Sequence, residues 1–333
     1  MVLPRALEAP TADFWRRRRV LVTGATGLLG SHLVRALVDR GADVVAVVRD
    51  TVPPSLLVSS GLLDRVMVVH GSVTDQPLLH RALVEYEIQS VFHLAAQTLV
   101  THALANPVET MDVNIGGTYR LLESCRLYGR CEEIVVASSD KAYGQQDQLP
   151  YVEDFPMQGT YPYDVSKSCA DLISRSFAKT YGLPVAVTRL ANLYGPGDLN
   201  FSRLIPGTIR SLLLGEPIII RSDGTLQREY LYVENGAQAY LTLAEQVKSG
   251  GLGGQAFNFG QGGPLSVLEV VEAVKRAMQL PDAEVRVLNE AKAEIQAQWL
   301  DATRAREVLG WKPAWSFDEG LERTVPWYRE HLR

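Results

Sequence analysis

Apolar residues fall in short unbroken runs over the first 190 residues, with helix-length segments between them. Val20-Leu21-Val22 is the first run and Asp43-Val44-Val45-Ala46-Val47-Val48 contains the second. Val66–Val69, Val91–Leu94, Ile134–Ala137 and Val185–Leu190 follow. Runs that are apolar at successive positions suit strands covered on both faces, as in a parallel sheet. Between them, the pattern predicts a helix from Leu28 to about Arg40, ended by Gly41, and another opened by Pro162 and closed by Gly182. Strand and helix in alternation predict an α/β, Rossmann-like, doubly wound parallel sheet. After Gly195-Pro196-Gly197 the elements shorten, with breaks at Pro206-Gly207, Gly215-Glu216-Pro217 and Gly250 to Gly254. The expected division is a sheet domain over 1–190, with a return near 229–250, and a smaller substrate-binding lobe over 191–228 and 251–333.

Composition narrows the field without choosing within it. A chain of 333 residues is long enough for one large α/β unit plus a lobe. Charged residues are 21% and the net charge is -5, which argues against nucleic acid as a partner. The three cysteines, Cys125, Cys131 and Cys169, show no metal-ligand spacing and read as small buried residues of a reducing compartment. No run approaches the ~18 apolar residues of a bilayer span. Arg16 to Arg19 read as a solvated lead into the first strand. The expectation is a soluble cytoplasmic protein with no membrane and no metal site. His93 reads as a packed strand residue.

Two motifs carry the candidate chemistry. In Thr23-Gly24-Ala25-Thr26-Gly27-Leu28-Leu29-Gly30, Gly24 permits a tight turn, Gly27 close approach of a phosphate, and Gly30 close packing of helix on strand. The helix that follows offers unpaired N–H groups and the positive end of its dipole to a pyrophosphate. Far downstream, Tyr163-Asp164-Val165-Ser166-Lys167 places a phenol and an ammonium one helical turn apart. A tyrosine near ~10 must fall by about three pKa units, or ~4 kcal/mol, to work as a base near neutrality. An exposed pair supplies roughly 1 kcal/mol or less. The pair must therefore be partly desolvated and helped by a further positive charge, such as an oxidised nicotinamide ring. Ser139, after the Ile134–Ala137 run, is placed to hydrogen-bond the same substrate oxygen. Ligands of such sheets sit beyond the strand ends, which directs attention to Ala95-Ala96-Gln97, Ser138 to Lys141 and Ala191-Asn192.

These motifs resemble those of the extended short-chain dehydrogenase/reductases, and within them the nucleotide-sugar epimerases and dehydratases. The resemblance runs through Thr23 to Gly30, His93-Leu94-Ala95-Ala96, Asn114 to Thr118, Ser139 to Gly144 and Tyr163 to Lys167. It continues in Arg189 to Gly197, Arg228 to Val233 and Leu309-Gly310-Trp311-Lys312-Pro313. It implies a cofactor held by Gly24, Thr26, Gly27, Leu28, Leu29, Gly30, Arg49, Ser72, Val73, Leu94, Ala95, Ala96, Tyr163 and Lys167. It implies a nucleotide-diphosphate sugar held by Gln97, Ser139, Asn192 and Arg228, with Tyr163 taking the proton from the sugar 4-hydroxyl. Relatives pair as dimers through the helices after Asn114 and around Tyr163, and a homodimer is the expectation here.

The resulting 4-keto sugar is a branch point. Epimerases, which return the hydride to the other face, resemble Ser-Ser-Ala-x-x-Tyr-Gly here; this chain has Ser139-Asp140-Lys141-Ala142-Tyr143-Gly144. The Asp-Lys step resembles CDP-glucose 4,6-dehydratases, as does the lead Phe14-Trp15-Arg16-Arg17-Arg18-Arg19. On that resemblance Asp140 protonates the departing water and Lys141 takes part in the C5 proton transfer. Adjacent residues at a strand end point apart, so both serve one sugar only if the chain turns there. The glycine turn and Arg228-Glu229-Tyr230 are closer to the epimerase form. A 4,6-dehydratase acting on a CDP-glucose-like substrate is therefore the first reading. The alternatives are a 4-epimerase of a UDP-hexose or UDP-hexuronate, with Asp140 and Lys141 a local ion pair, and an NADPH-dependent 4-keto-sugar reductase. NAD is the expected cofactor, and Arg49, after Val48, leaves NADP open.

Overall fold

The computed structural model describes residues 13–52, 54–290 and 295–332. Its frame is a seven-stranded parallel sheet. Six strands are β1 (Arg19–Thr23), β2 (Asp43–Val48), β3 (Met67–His70), β4 (Ser90–His93), β5 (Glu133–Ala137) and β6 (Val185–Leu190). They lie in the order β6-β5-β4-β1-β2-β3, and Ala256–Phe259 adds the seventh strand beside β6.

Side chains alternate across each strand, and the two faces meet two separate apolar clusters. Val20, Val22, Val44, Ala46, Phe92 and Val135 enter one cluster. Leu21, Val45, Val47, Val91, Ile134 and Val136 enter the other. Both faces are covered, which is why the runs are apolar at successive positions.

The Ala256–Phe259 strand corrects the expected division, which had put it in the smaller lobe. Its Phe257 and Phe259 are buried in the same cluster as Val20 and Val135, so packing recruits the segment into the sheet. The smaller lobe has its own apolar core, built on Tyr194, Ile205, Ile209, Val270, Val274, Leu321 and Tyr328. Within it, Gln227–Arg228 forms the middle of a three-stranded sheet between Leu265–Ser266 and Ala297–Gln298.

Arg18 is a second correction. It is not solvated: its guanidinium pairs with Glu133 at 2.6 Å and Glu132 at 3.1 Å. Trp15, beside it, is buried and packs on Phe92. No described helix is long and apolar enough to cross a membrane.

Candidate active site

β1 ends at Thr23 and the chain turns at Gly24, with φ +71°. A Cβ at Gly24 would stand 2.6 Å from Ala95 N, so the strand end Leu94-Ala95-Ala96 lies directly on the turn. A Cβ at Gly30 would stand 2.1 Å from Gly24 O, which brings the helix Leu28–Asp39 flush against it. Gly27 is the N-cap and no side chain caps that first turn, leaving it suited to an anion. Val73 is buried, while the Ser72 hydroxyl accepts from Thr74 N at 3.2 Å in a local turn. Arg49 pairs with its neighbour Asp50 at 2.5 Å, on the exposed end of β2.

A one-way series of hydrogen bonds joins this turn to the helix bearing Tyr163. Thr118 donates to Asn114 O at 2.6 Å, so its oxygen accepts from His93 Nε2 at 3.2 Å. Burial holds His93 neutral, down at about 3, with Lys167 adding a smaller push. Its Nδ1 therefore accepts from Thr23 Oγ1 at 2.8 Å, and Thr23 accepts from Ala95 N. The Asn114 amide then donates to Gln97 O at 3.0 Å and to Ser166 Oγ at 2.9 Å, and Ser166 donates to Tyr163 O at 2.7 Å. Asn114 sits in a widened turn, Asp112–Gly116, that interrupts the helical run. His93 is a packed strand residue with both ring nitrogens engaged by threonines.

After β5 the chain turns at once. Ser139 caps a single tight turn, Asp140–Tyr143, accepting from Lys141 N at 3.2 Å and donating to Asp140 Oδ1 at 2.9 Å. Asp140 is buried, and Lys141 Nζ lies 3.4 Å from its Oδ2. The turn thus meets the condition for both to face one site, and it also makes them an ion pair. Tyr143 locks the turn from behind: its hydroxyl donates to Asn258 Oδ1 and accepts from Arg189 Nη1, each at 2.7 Å. Arg189 in turn pairs with Asp171 at 2.8 Å, both fully buried.

The helix Pro162–Tyr181 carries Tyr163 and Lys167 one turn apart, with Pro162 in the first turn and Gly182 ending it at φ +67°. Lys167 is buried and donates to Ala137 O at 2.9 Å. Desolvation brings its pKa down to about 8. Tyr163 goes the other way, up to about 12: burial raises it most and the Asp140 carboxylate next, against smaller lowering by Arg203 and the Ser139 hydroxyl. Burial and the Asp140 carboxylate thus dominate, and the one-turn spacing from Lys167 does not by itself make the phenol acidic.

Asn192 opens a strand paired with Tyr230–Tyr232, two residues beyond Arg228 in the chain, and its amide donates to Glu229 O at 3.1 Å. Arg228 donates to Gln227 O at 2.8 Å. Between them Glu229 is a buried hub, accepting from Gly262 N and Leu300 N, each at 3.0 Å. The Gln97 side chain is engaged locally, its amide donating to Leu99 O at 3.2 Å and accepting from Thr110 Oγ1 at 3.5 Å.

Three residues join the site that sequence reasoning passed over. Asp164 is buried and rises to about 6, through desolvation first, with Lys141 lowering and Asp140 raising it. Its signal was available, an acid inside the Tyr-Lys motif. Arg203 acts on Tyr163 and pairs with Asp198 at 3.0 Å. Gln298, buried, accepts from Lys141 Nζ and donates to Asp140 O at 2.9 Å. Nothing local in the sequence marks it.

The uncapped helix start on a glycine turn and the buried Lys167 ammonium fit a dinucleotide. Among the described residues that ammonium has a single carbonyl acceptor, so it has donors left for ribose hydroxyls.

Comparison with known proteins agrees with this geometry. The family model described as GDP-mannose 4,6 dehydratase matches residues 21–324. CDP-glucose 4,6-dehydratase of Salmonella typhimurium is 31% identical over 335 residues, covering 96% of this chain and 93% of that protein. DesIV, the dTDP-glucose 4,6-dehydratase of Streptomyces venezuelae solved with NAD and TYD bound, superposes with TM-score 0.84. It is 30% identical, over 94% of this chain and 97% of that one. UDP-glucose 4-epimerase of Thermotoga maritima, solved with UDP-glucose, gives TM-score 0.85 at 29% identity, over 95% of this chain and 100% of that one. The chain spans about half the length, 47–48%, of the trifunctional Arabidopsis thaliana relatives that it matches.

Proposed function

The chain belongs to the GDP-mannose 4,6 dehydratase family, and from that premise we propose that it is an NAD-dependent nucleotide-sugar 4,6-dehydratase. Bound at this site, NAD would supply a hydride acceptor for the sugar C4 and, once reduced, the hydride donor for C6. Gly24, Thr26, Gly27, Leu28, Leu29, Gly30, Ser72, Val73, Leu94, Ala95, Ala96, Tyr163 and Lys167 hold it. The Arg49–Asp50 pair, self-neutralised, favours a plain ribose over a 2′-phosphate.

Tyr163 receives the 4-hydroxyl proton and Ser139 bonds the same oxygen. Asp140 protonates the departing 6-hydroxyl, and Lys141 serves the C5 proton that the 4-ketone has acidified. Arg228, with its planar fork, and Asn192 hold the diphosphate. The observation that carries this reading is the turn at Asp140–Tyr143, which brings the Asp140 carboxylate to bear on Tyr163 with the Lys141 amine paired to it. CDP-glucose is the proposed substrate. Exposed Tyr119, Leu127, Leu172 and Tyr181, on the helices after Asn114 and around Tyr163, favour a homodimer.

The test is mass spectrometry of products from CDP-, UDP- and dTDP-glucose, UDP-glucuronate and GDP-mannose. Loss of one water from one substrate supports the reading and names the nucleotide. The Asp140–Lys141 contact favours a second reading, a 4-epimerase with a local ion pair, which gives an isomer of unchanged mass.

A further inference from the structure

Gln298 belongs to the smaller lobe by its backbone and to the catalytic turn by its side chain. Its strand, Ala297–Gln298, lies parallel to Gln227–Arg228, with Gln298 in register with Arg228. Its fully buried amide reaches the segment after β5. Oε1 accepts from Lys141 Nζ, and Nε2 donates to Asp140 O at 2.9 Å. Asp140 Oδ2 lies 3.4 Å from the same ammonium, so Lys141 Nζ is held between Gln298 and Asp140. Both ends of the amide are used, and each end addresses one of the two residues assigned to water loss.

We propose that Gln298 is a positioning residue for the elimination step, aiming Lys141 and fixing the Asp140 backbone from the strand beside the one that carries Arg228. The proposal rests on the dehydratase reading. It separates two roles within one strand pair. Arg228 acts on substrate affinity, and Gln298 acts on the chemistry after C4 oxidation. Gln298 bonds neither Tyr163 nor the glycine turn and reaches C4 oxidation only through Asp140, so its loss falls more heavily on water loss than on C4 oxidation.

The experiment compares wild type, Gln298→Ala and Gln298→Glu with the nucleotide sugar that wild type dehydrates. Three quantities are read: the transient of reduced nicotinamide for C4 oxidation, solvent deuterium entering C5, and KM. Gln298→Ala is expected to slow deuterium entry and water loss about 10- to 100-fold, the scale of a 1 Å misplacement, and to slow C4 oxidation several times less, with KM within about twofold of wild type. Gln298→Glu keeps the size of the side chain and puts a carboxylate against Lys141. It is expected to move the acid-side limb of the elimination rate, below which Lys141 is protonated and cannot take the C5 proton, to higher pH, a change that a merely structural role would not produce.

Equal slowing of both steps, a rise in KM alone, or an unmoved limb in Gln298→Glu overturns the inference while wild-type water loss leaves the function intact. A wild type that releases no water from any nucleotide sugar overturns both.

Discussion

Tyr163 and Asp140 oppose each other: after burial itself, the Asp140 carboxylate is the largest influence keeping the proton on the Tyr163 phenol, which stands at about 12. The acid proposed for water loss therefore works against the base proposed for C4 oxidation. Asp140→Asn should act with opposite signs on the two steps. C4 oxidation should extend to lower pH, and water loss should fall about 10²–10⁴-fold, the usual worth of a positioned acid. Single-turnover absorbance of reduced nicotinamide against pH, with product mass, checks both. Equal loss of the two steps would remove the assignment.

Lys167 is held at about 8 by desolvation, against an ordinary value of 10.5. The unfolded chain keeps that proton more tightly, so the native state carries the full cost below pH 8 and sheds it as pH rises toward 10.5. Lys167→Met should abolish turnover yet stabilise the fold by about 1–3 kcal/mol at pH 7. Urea unfolding at pH 7 and at pH 10 tests it, since the advantage must shrink at the higher pH.

Arg189 and Asp171 are both fully buried and meet at 2.8 Å. Asp171→Asn leaves a guanidinium without its counter-charge behind the turn that carries Asp140. The expected loss is about 3–5 kcal/mol in chemical denaturation. A loss below 1 kcal/mol would mean that Tyr143 and Glu153 O carry Arg189 without the carboxylate.

His32 is brought down to about 4, chiefly by burial, with its Nε2 bonding Pro196 O at 2.9 Å. A group lowered in this way binds its proton in the unfolded chain first, so stability is lost as pH falls from about 6.5 toward 4. His32→Asn should flatten the slope of unfolding free energy over that window by up to about 1.4 kcal/mol per pH unit. Unchanged slopes in the two proteins would show that His32 titrates normally.

Much of the sheet was legible because the central positions of β1, β2, β4 and β5 are buried on both faces and are apolar in succession. The glycine turn was legible because Gly24 and Gly30 answer backbone contacts closer than any Cβ permits. What escaped depends on distant packing. Ala256–Phe259 is four residues long and its place beside β6 is decided by Phe257 and Phe259 entering a core assembled from the other end of the chain. Gln298 meets Lys141 across 157 positions. The direction of the Tyr163 shift also escaped, because spacing shows Lys167 one turn away but not the carboxylate that the turn after Ser139 folds inward.

The contact between Gln298 and the Asp140–Lys141 turn has a mechanical consequence. One side chain ties the short strand of the smaller lobe to both residues of the turn after β5, and any displacement of the Ala297–Gln298 strand releases Lys141 and the Asp140 carbonyl together.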